Sequence, residues 1–252
     1  MDKVILTYDR SFEGFLSLVF QIYNKKIEPL KITTSDQATD LFSNQLSYTT
    51  DGHYAERVLA GLTKRSSKKT VRFIYECFLS ELEGTEMKLL HLIRLILRGQ
   101  ANKIRDYSDP IIMDLHKIKK MIGREVHRMH AFVRFQETKD DMWACEINPD
   151  FNVLPLIGKH FVDRYPALEW LIYDTNRQYA IHNDNQKIRY VTFDSNQENQ
   201  LITKDAITDE EVLYQDLWKQ YFKSVNIEER NNKKLHLRHV PKRYWKFLIE
   251  KQ

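Results

Sequence analysis

The chain has 252 residues, 42% hydrophobic and 29% charged, with a formal net charge of +4. That length accommodates one large domain or two ordinary ones, and the balance of apolar and charged residues excludes a disordered chain. A surplus of four positive charges is too small to diagnose nucleic-acid binding, so where the cations fall carries more than their sum.

At the N-terminus VILTYD alternates and is rich in β-branched residues, which predicts a strand. Phe12, Phe15, Leu16, Val19, Phe20 and Tyr23 then recur at three and four residues, one face of an amphipathic helix. Ser35 or Asp36 to Leu46 is a further helix candidate, and Asp51 is placed to cap a helix through Val58, Leu59 and Leu62. Lys64, Arg65, Lys68 and Lys69 flank two serines and read as a solvated basic linker. Val71 to Leu82 and Thr85 to Arg98 carry helical apolar stripes, and Gly99 terminates the second. The first half therefore reads as helical. The N-terminal run is broken by Asp and Arg, unlike a signal peptide. The most apolar stretch, Leu89 to Leu97, falls far short of the roughly 20 residues that span a bilayer. A cytoplasmic chain with no membrane partner is expected. Cys77 and Cys145 lack metal or redox spacing and read as buried hydrophobes.

Ser108-Asp109-Pro110 is a helix start, with Asp109 able to accept first-turn N–H groups and Pro110 suited to the first helical position. Ile111, Leu115, Ile118, Ile122, Val126 and Met129 define a buried stripe on a helix of about twenty residues. Beside it run Lys117, Lys120, Arg124, His127 and Arg128. From Ala131 the period changes to two, and residues 131 to 148 read as a hairpin turning at Lys139-Asp140-Asp141. A short helix follows from Pro155 to Tyr165. Strands are predicted at Glu169 to Asp174, Gln178 to Asn183 and Ile188 to Phe193, with a tight turn between the first two. Ser195 to Thr203 is polar loop. Asp209 is placed to cap a helix through Tyr221, and Tyr244 to Ile249 reads as a short terminal helix.

The expected fold is α+β: a mainly helical region over 1–130, an antiparallel sheet with one helix over 131–200, and a helical basic segment over 201–252. Three basic blocks stand out. Arg124, Arg128 and Arg134 lie at the helix-to-strand junction, Lys159, His160 and Arg164 on the short helix, and Arg238, Lys242 and Arg243 in the tail beside Tyr244 and Trp245. Phosphate recognition needs donors converging from several elements, and cations at helix C-termini also have a purely structural use. His127 and His130 lack the HExxH pattern and their neighbour Glu125 is off their face, so no metal site is expected. His160 with Asp163 or Asp174, or His127, would be the groups for acid-base chemistry. No nucleophile elbow or glycine-rich phosphate loop is present, and no cofactor is expected.

The segments SFEGFLSLVFQIY, GREVHRMHAFVRFQ, HFVDRYPALEWLIYDTNRQYAIH and NIEERNNKKLHLRHVPKRYWKFL together resemble a bacterial domain-of-unknown-function family of DNA metabolism proteins, over nearly the full chain. Members are encoded beside a radical SAM protein of DNA modification or repair, and some carry a fused uracil-DNA glycosylase domain. The resemblance implies a DNA repair or modification context in which the radical chemistry belongs to the partner; it supplies no catalytic residues. Three functions are thus expected in competition: a DNA-binding accessory protein, an enzyme acting on DNA by His/Asp acid-base chemistry, and a protein-interaction module with a basic surface.

Overall fold

The computed structural model describes residues 4–34, 44–184, 187–192, 206–224, 237 and 239–251. The chain divides into two compact units, residues 1–123 and 124–252.

The first unit opens with a strand, β1 (Val4–Tyr8), a helix, α1 (Phe12–Lys25), and a second strand, β2 (Pro29–Thr34). Helix α1 starts where Ser11 Oγ accepts from the Gly14 amide at 2.8 Å. It stops where Lys26 turns left-handed at φ 54° and the Ile27 amide reaches back to the Ile22 carbonyl. Because α1 returns the chain to the same edge direction, β1 and β2 pair in parallel, with Leu6 opposite Ile32. A third strand, β3 (Gln45–Ser47), pairs in parallel on the other side of β1. The strand expected at VILTYD is β1, and this small sheet adds two strands to a half otherwise read as helical. Gln45 and Leu46, assigned above to a helix, are strand, and residues 35–43 of that segment lie outside the described residues.

Helices α2 (Gly52–Arg65), α3 (Lys68–Phe78) and α4 (Thr85–Leu97) complete the unit with the first half of α5 (Pro110–Phe132). Asp51 Oδ1 caps α2 through the His53 and Tyr54 amides, and Ser67 Oγ caps α3 through the Thr70 amide. The basic linker is therefore only Ser66 and Ser67: Lys64 and Arg65 finish α2, and Lys68 and Lys69 begin α3. Asp109 caps α5 through the Ile111 amide at 2.8 Å, with Pro110 in the first turn as expected. Leu6, Phe15, Leu18, Leu62, Ile74, Leu89, Ile93 and Ile112 are fully buried in one core. Each such side chain removed from water contributes about 1.5–3 kcal/mol.

At the carboxyl end of β1, Asp9 Oδ1 accepts from the Ser11 amide and hydroxyl, and Oδ2 from Thr50 Oγ1 at 2.5 Å. Burial alone would raise the Asp9 carboxyl, but Thr50 and Ser11 hold it below its ordinary value. A Cβ on Gly14 would overlap Asp9 Oδ1 and lie 2.7 Å from Thr50 Oγ1. Gly14→Ala should therefore lower the unfolding free energy by about 1–3 kcal/mol, the usual range for overpacking. Chemical denaturation of the two proteins at one pH checks it.

The second unit holds a five-stranded sheet in the order β4-β5-β6-β7-β8: β4 (Gln136–Glu137), β5 (Trp143–Ile147), β6 (Trp170–Asp174), β7 (Tyr179–Asp184) and β8 (Lys187–Thr192). Helix α6 (Leu154–Arg164) connects β5 to β6. The expectation of an antiparallel sheet needs correcting here. Strands β5 and β6 run parallel, Trp143 opposite Trp170, because the connection containing α6 crosses back to the starting end; the other pairs are antiparallel. The mixed sheet leaves the α+β class intact.

The hairpin is also shorter than expected. Ala131 and Phe132 extend α5, and only Gln136 and Glu137 pair with β5. Arg134 Nη1 donates to the Ala131 carbonyl at 2.6 Å and to that of Val133, satisfying groups that the helix end leaves open. The central strand β6 is buried throughout, and Phe161, Trp170, Ile172 and Ile181 fill the core against α6. Cys77 and Cys145 are free and buried as expected.

Helix α7 (Asp209–Ser224) begins at Thr208, whose Oγ1 accepts from the Glu211 amide at 3.1 Å, so Asp209 sits in the first turn instead of capping it. The short terminal helix expected over Tyr244 to Ile249 is two 3-10 turns, Lys242–Phe247 and Ile249–Lys251. Among the described residues no helix is long and apolar enough to cross a membrane.

Candidate functional site

The second half of α5 runs from Arg124 to Phe132, and near its start lies Glu125, 1% exposed. The Glu125 carboxylate accepts from the Asp150 amide at 2.9 Å, from Arg128 Nη1 at 3.2 Å and from Arg243 Nη2 at 3.1 Å. The Tyr244 hydroxyl donates to it as well, and burial together with this carboxylate raises the phenol above its ordinary value. Arg243 also meets Asp150 Oδ2 at 2.7 Å. A carboxylate in a dry site is tolerable only with such a set of charged donors. The sequence places Arg124–Arg128 and Lys242–Arg243 far apart; Glu125 joins them.

The other flank of α5 reaches α6. The His130 and His160 rings stack with centroids 3.9 Å apart and 15° between planes, and Phe161 meets both edge-on. His130 Nε2 is buried with no hydrogen-bond partner among the described residues. Burial first, then the charges of His160 and His127, lower the His130 pKa. An unfolded histidine titrates near about 6.5, so this stability is complete above that value and is lost as pH falls through the lower folded value. Wild type should thus lose more stability than His130→Phe between pH 7.5 and 5.5, as followed by urea denaturation.

The nine basic positions now separate by what they touch. Arg124 and Lys242 are exposed and make no hydrogen bond or ion pair among the described residues. Lys159, its side chain 84% exposed, pairs with exposed Asp163 at 2.9 Å. Arg164 donates to the Tyr165 hydroxyl at 3.1 Å and lies over that ring. Arg128 and Arg243 serve Glu125, while Arg134 pairs with Glu250 at 2.9 Å. Burial would raise Glu250, but its own amide, Arg134 and the Trp218 indole N–H hold it below the carboxylate range. Arg238 lies outside the described residues.

The acid-base candidates are not brought together. Asp174, fully buried, accepts from the Asn176 and Arg177 amides and from Arg177 Nη1 at 3.0 Å, which builds the β6–β7 turn. Burial raises its pKa despite Arg177. No histidine bonds to it among the described residues; His182 instead meets Glu169 at 2.8 Å. His127 is exposed on α5. Among the described residues no group of three or more His, Cys, Asp or Glu could hold a metal ion.

Sequence reasoning passed over two features of this unit. Glu125 was set aside as lying off the histidine face, although an acidic residue one turn from Arg128 inside a basic stripe is a counter-ion signal. Helix α7 exposes Leu213, Tyr214, Leu217, Trp218 and Tyr221, and a groove of about 740 Å³ runs along Tyr214, Trp218, Tyr221 and Ile249.

No curated protein matches this chain. The model of a domain of unknown function, DUF4130, matches residues 83–250. With two thirds of its length inside that match, including α5, the whole second sheet and the turn over Lys242–Phe247, the chain belongs to the DUF4130 family.

Proposed function

We propose that the protein is a cytoplasmic DNA-binding accessory factor of DNA repair or modification that works with a radical SAM partner. The observation that carries this reading is that two sequence-distant segments with basic residues meet the second half of α5, the tail through Arg243 on Glu125 and α6 through the His130–His160 stack. Arg124, Lys242, Lys159 and Arg164 would meet phosphates, and Arg128 and Arg243 would hold the frame. The resemblance to DNA metabolism proteins supports the choice of DNA. Titrating duplex and single-stranded DNA against salt tests it. About four phosphate contacts predict a slope of log K against log salt near −3.6 for duplex.

A protein-interaction role has its own observation in the apolar face of α7. Trp218→Ala with Tyr221→Ala should weaken binding of the radical SAM partner and leave the salt dependence of DNA binding unchanged. Loss of DNA binding in that variant would remove the division of labour. Acid-base catalysis finds no comparable support, since Asp174 builds a turn and touches no histidine among the described residues.

A further inference from the structure

The carboxyl ends of β1 and β2, in the first unit, border a small cavity of about 30 Å³ lined by Tyr8, Arg10, Lys31, Thr34, Glu81 and Glu86 among others. Ligands of parallel sheets bind outside the carboxyl ends of the strands. Arg10 pairs with Glu81 at 3.5 Å and Lys31 with Glu83 at 2.6 Å, so each cation already has its carboxylate. Glu86 does not. It accepts from the Tyr8 hydroxyl at 3.0 Å and has no ion pair among the described residues. Burial raises both its pKa and that of Tyr8. Thr34, 6% exposed, has an Oγ1 with no hydrogen-bond partner among the described residues. Buried polar atoms left unpaired are few in native proteins and call for an explanation. Backbone strain collects here too: Arg10 and Glu81 are held at φ 67° and 54°.

Size and donor set decide what would fit. A cavity of about 30 Å³ admits one group the size of a water molecule. That excludes a phosphate or a base, and one carboxyl with two neutral oxygens falls short of the six or more ligands of a calcium site. An ammonium carries hydrogens for several acceptors at once and a charge to balance a lone carboxylate. We propose that this cavity binds a primary ammonium group, with Glu86 as counter-ion and Tyr8 Oη and Thr34 Oγ1 as the other acceptors. The exposed side chains of Arg10, Lys31 and Glu83 mark the open side, where the remainder of a larger amine would leave.

Calorimetric titration of the full chain with ammonium, methylammonium and tetramethylammonium chloride, at matched ionic strength, is the test. Ammonium should bind saturably, and tetramethylammonium, bulky and without an N–H, should not. Methylammonium binding as tightly as ammonium assigns the site to the head group of a larger amine; ammonium alone assigns it to the free ion. Glu86→Gln, isosteric and still able to accept from Tyr8, should weaken binding about tenfold or more, the scale of a hydrogen bond to a charged group. Thr34→Val should weaken it less, with both variants checked for native circular dichroism. No saturable binding of any amine, or binding unchanged in Glu86→Gln, means that the cavity holds an ordered water only and overturns the proposal.

Discussion

Replacing Glu125 with alanine should lower the unfolding free energy by about 3–5 kcal/mol, the cost of breaking a buried ion pair by removing one partner. The variant leaves Arg128 and Arg243 facing a vacated site, and the Tyr244 hydroxyl and Asp150 amide lose their acceptor. Glu125→Gln should cost less, because the amide oxygen still accepts while the charge is gone. Guanidinium denaturation gives the two values. A further consequence separates this residue from a surface carboxylate. If Glu125 holds the tail against α5, protease cleavage near Lys242 should accelerate in the alanine variant under native conditions.

Reversing Arg124 and Lys242, which pair with nothing among the described residues, has the second large effect. Arg124→Glu with Lys242→Glu should abolish DNA binding at physiological salt while leaving stability within about 0.5 kcal/mol of wild type, as for surface changes without partners. Neutralising either alone should flatten the salt dependence by about one unit. The same treatment of Arg134 should behave differently. That guanidinium satisfies the end of α5 and pairs with Glu250, so Arg134→Ala is expected to lower stability and to change the salt slope little.

Helices were the legible part of this fold. Apolar residues at three and four apart located α1, α3, α4 and α5, and Asp109-Pro110 fixed the start of α5, because these signals are local. Strands β2 and β3 were missed for the opposite reason: PLKITT and QLS are short, and their partner is β1, far away in the chain. The alternation of Ala131, Val133 and Phe135 imitated a strand at the end of a helix whose last turns carry no breaker, with no Gly or Pro from Arg124 to Gln136. The parallel pairing of β5 and β6 was implicit in the order strand, helix, strand, which favours a crossover over a hairpin.

Charge was legible and its use was not. Sequence shows that Arg128, Arg134 and Arg243 are cations; only packing shows that Glu125 and Glu250 hold them. The same limit applies to Asp174, chosen as an orienting carboxylate and found to build a turn with Arg177. Half-buried His130, its pKa lowered by burial, could not be told from exposed His127 by position in the helix alone.

The most direct test of the central claim is the affinity of the full chain for duplex DNA measured across salt concentrations. The basic surface around α5 predicts binding that weakens linearly in log–log form with a slope near −3.6. Affinity independent of salt, or no binding at low salt, would contradict it.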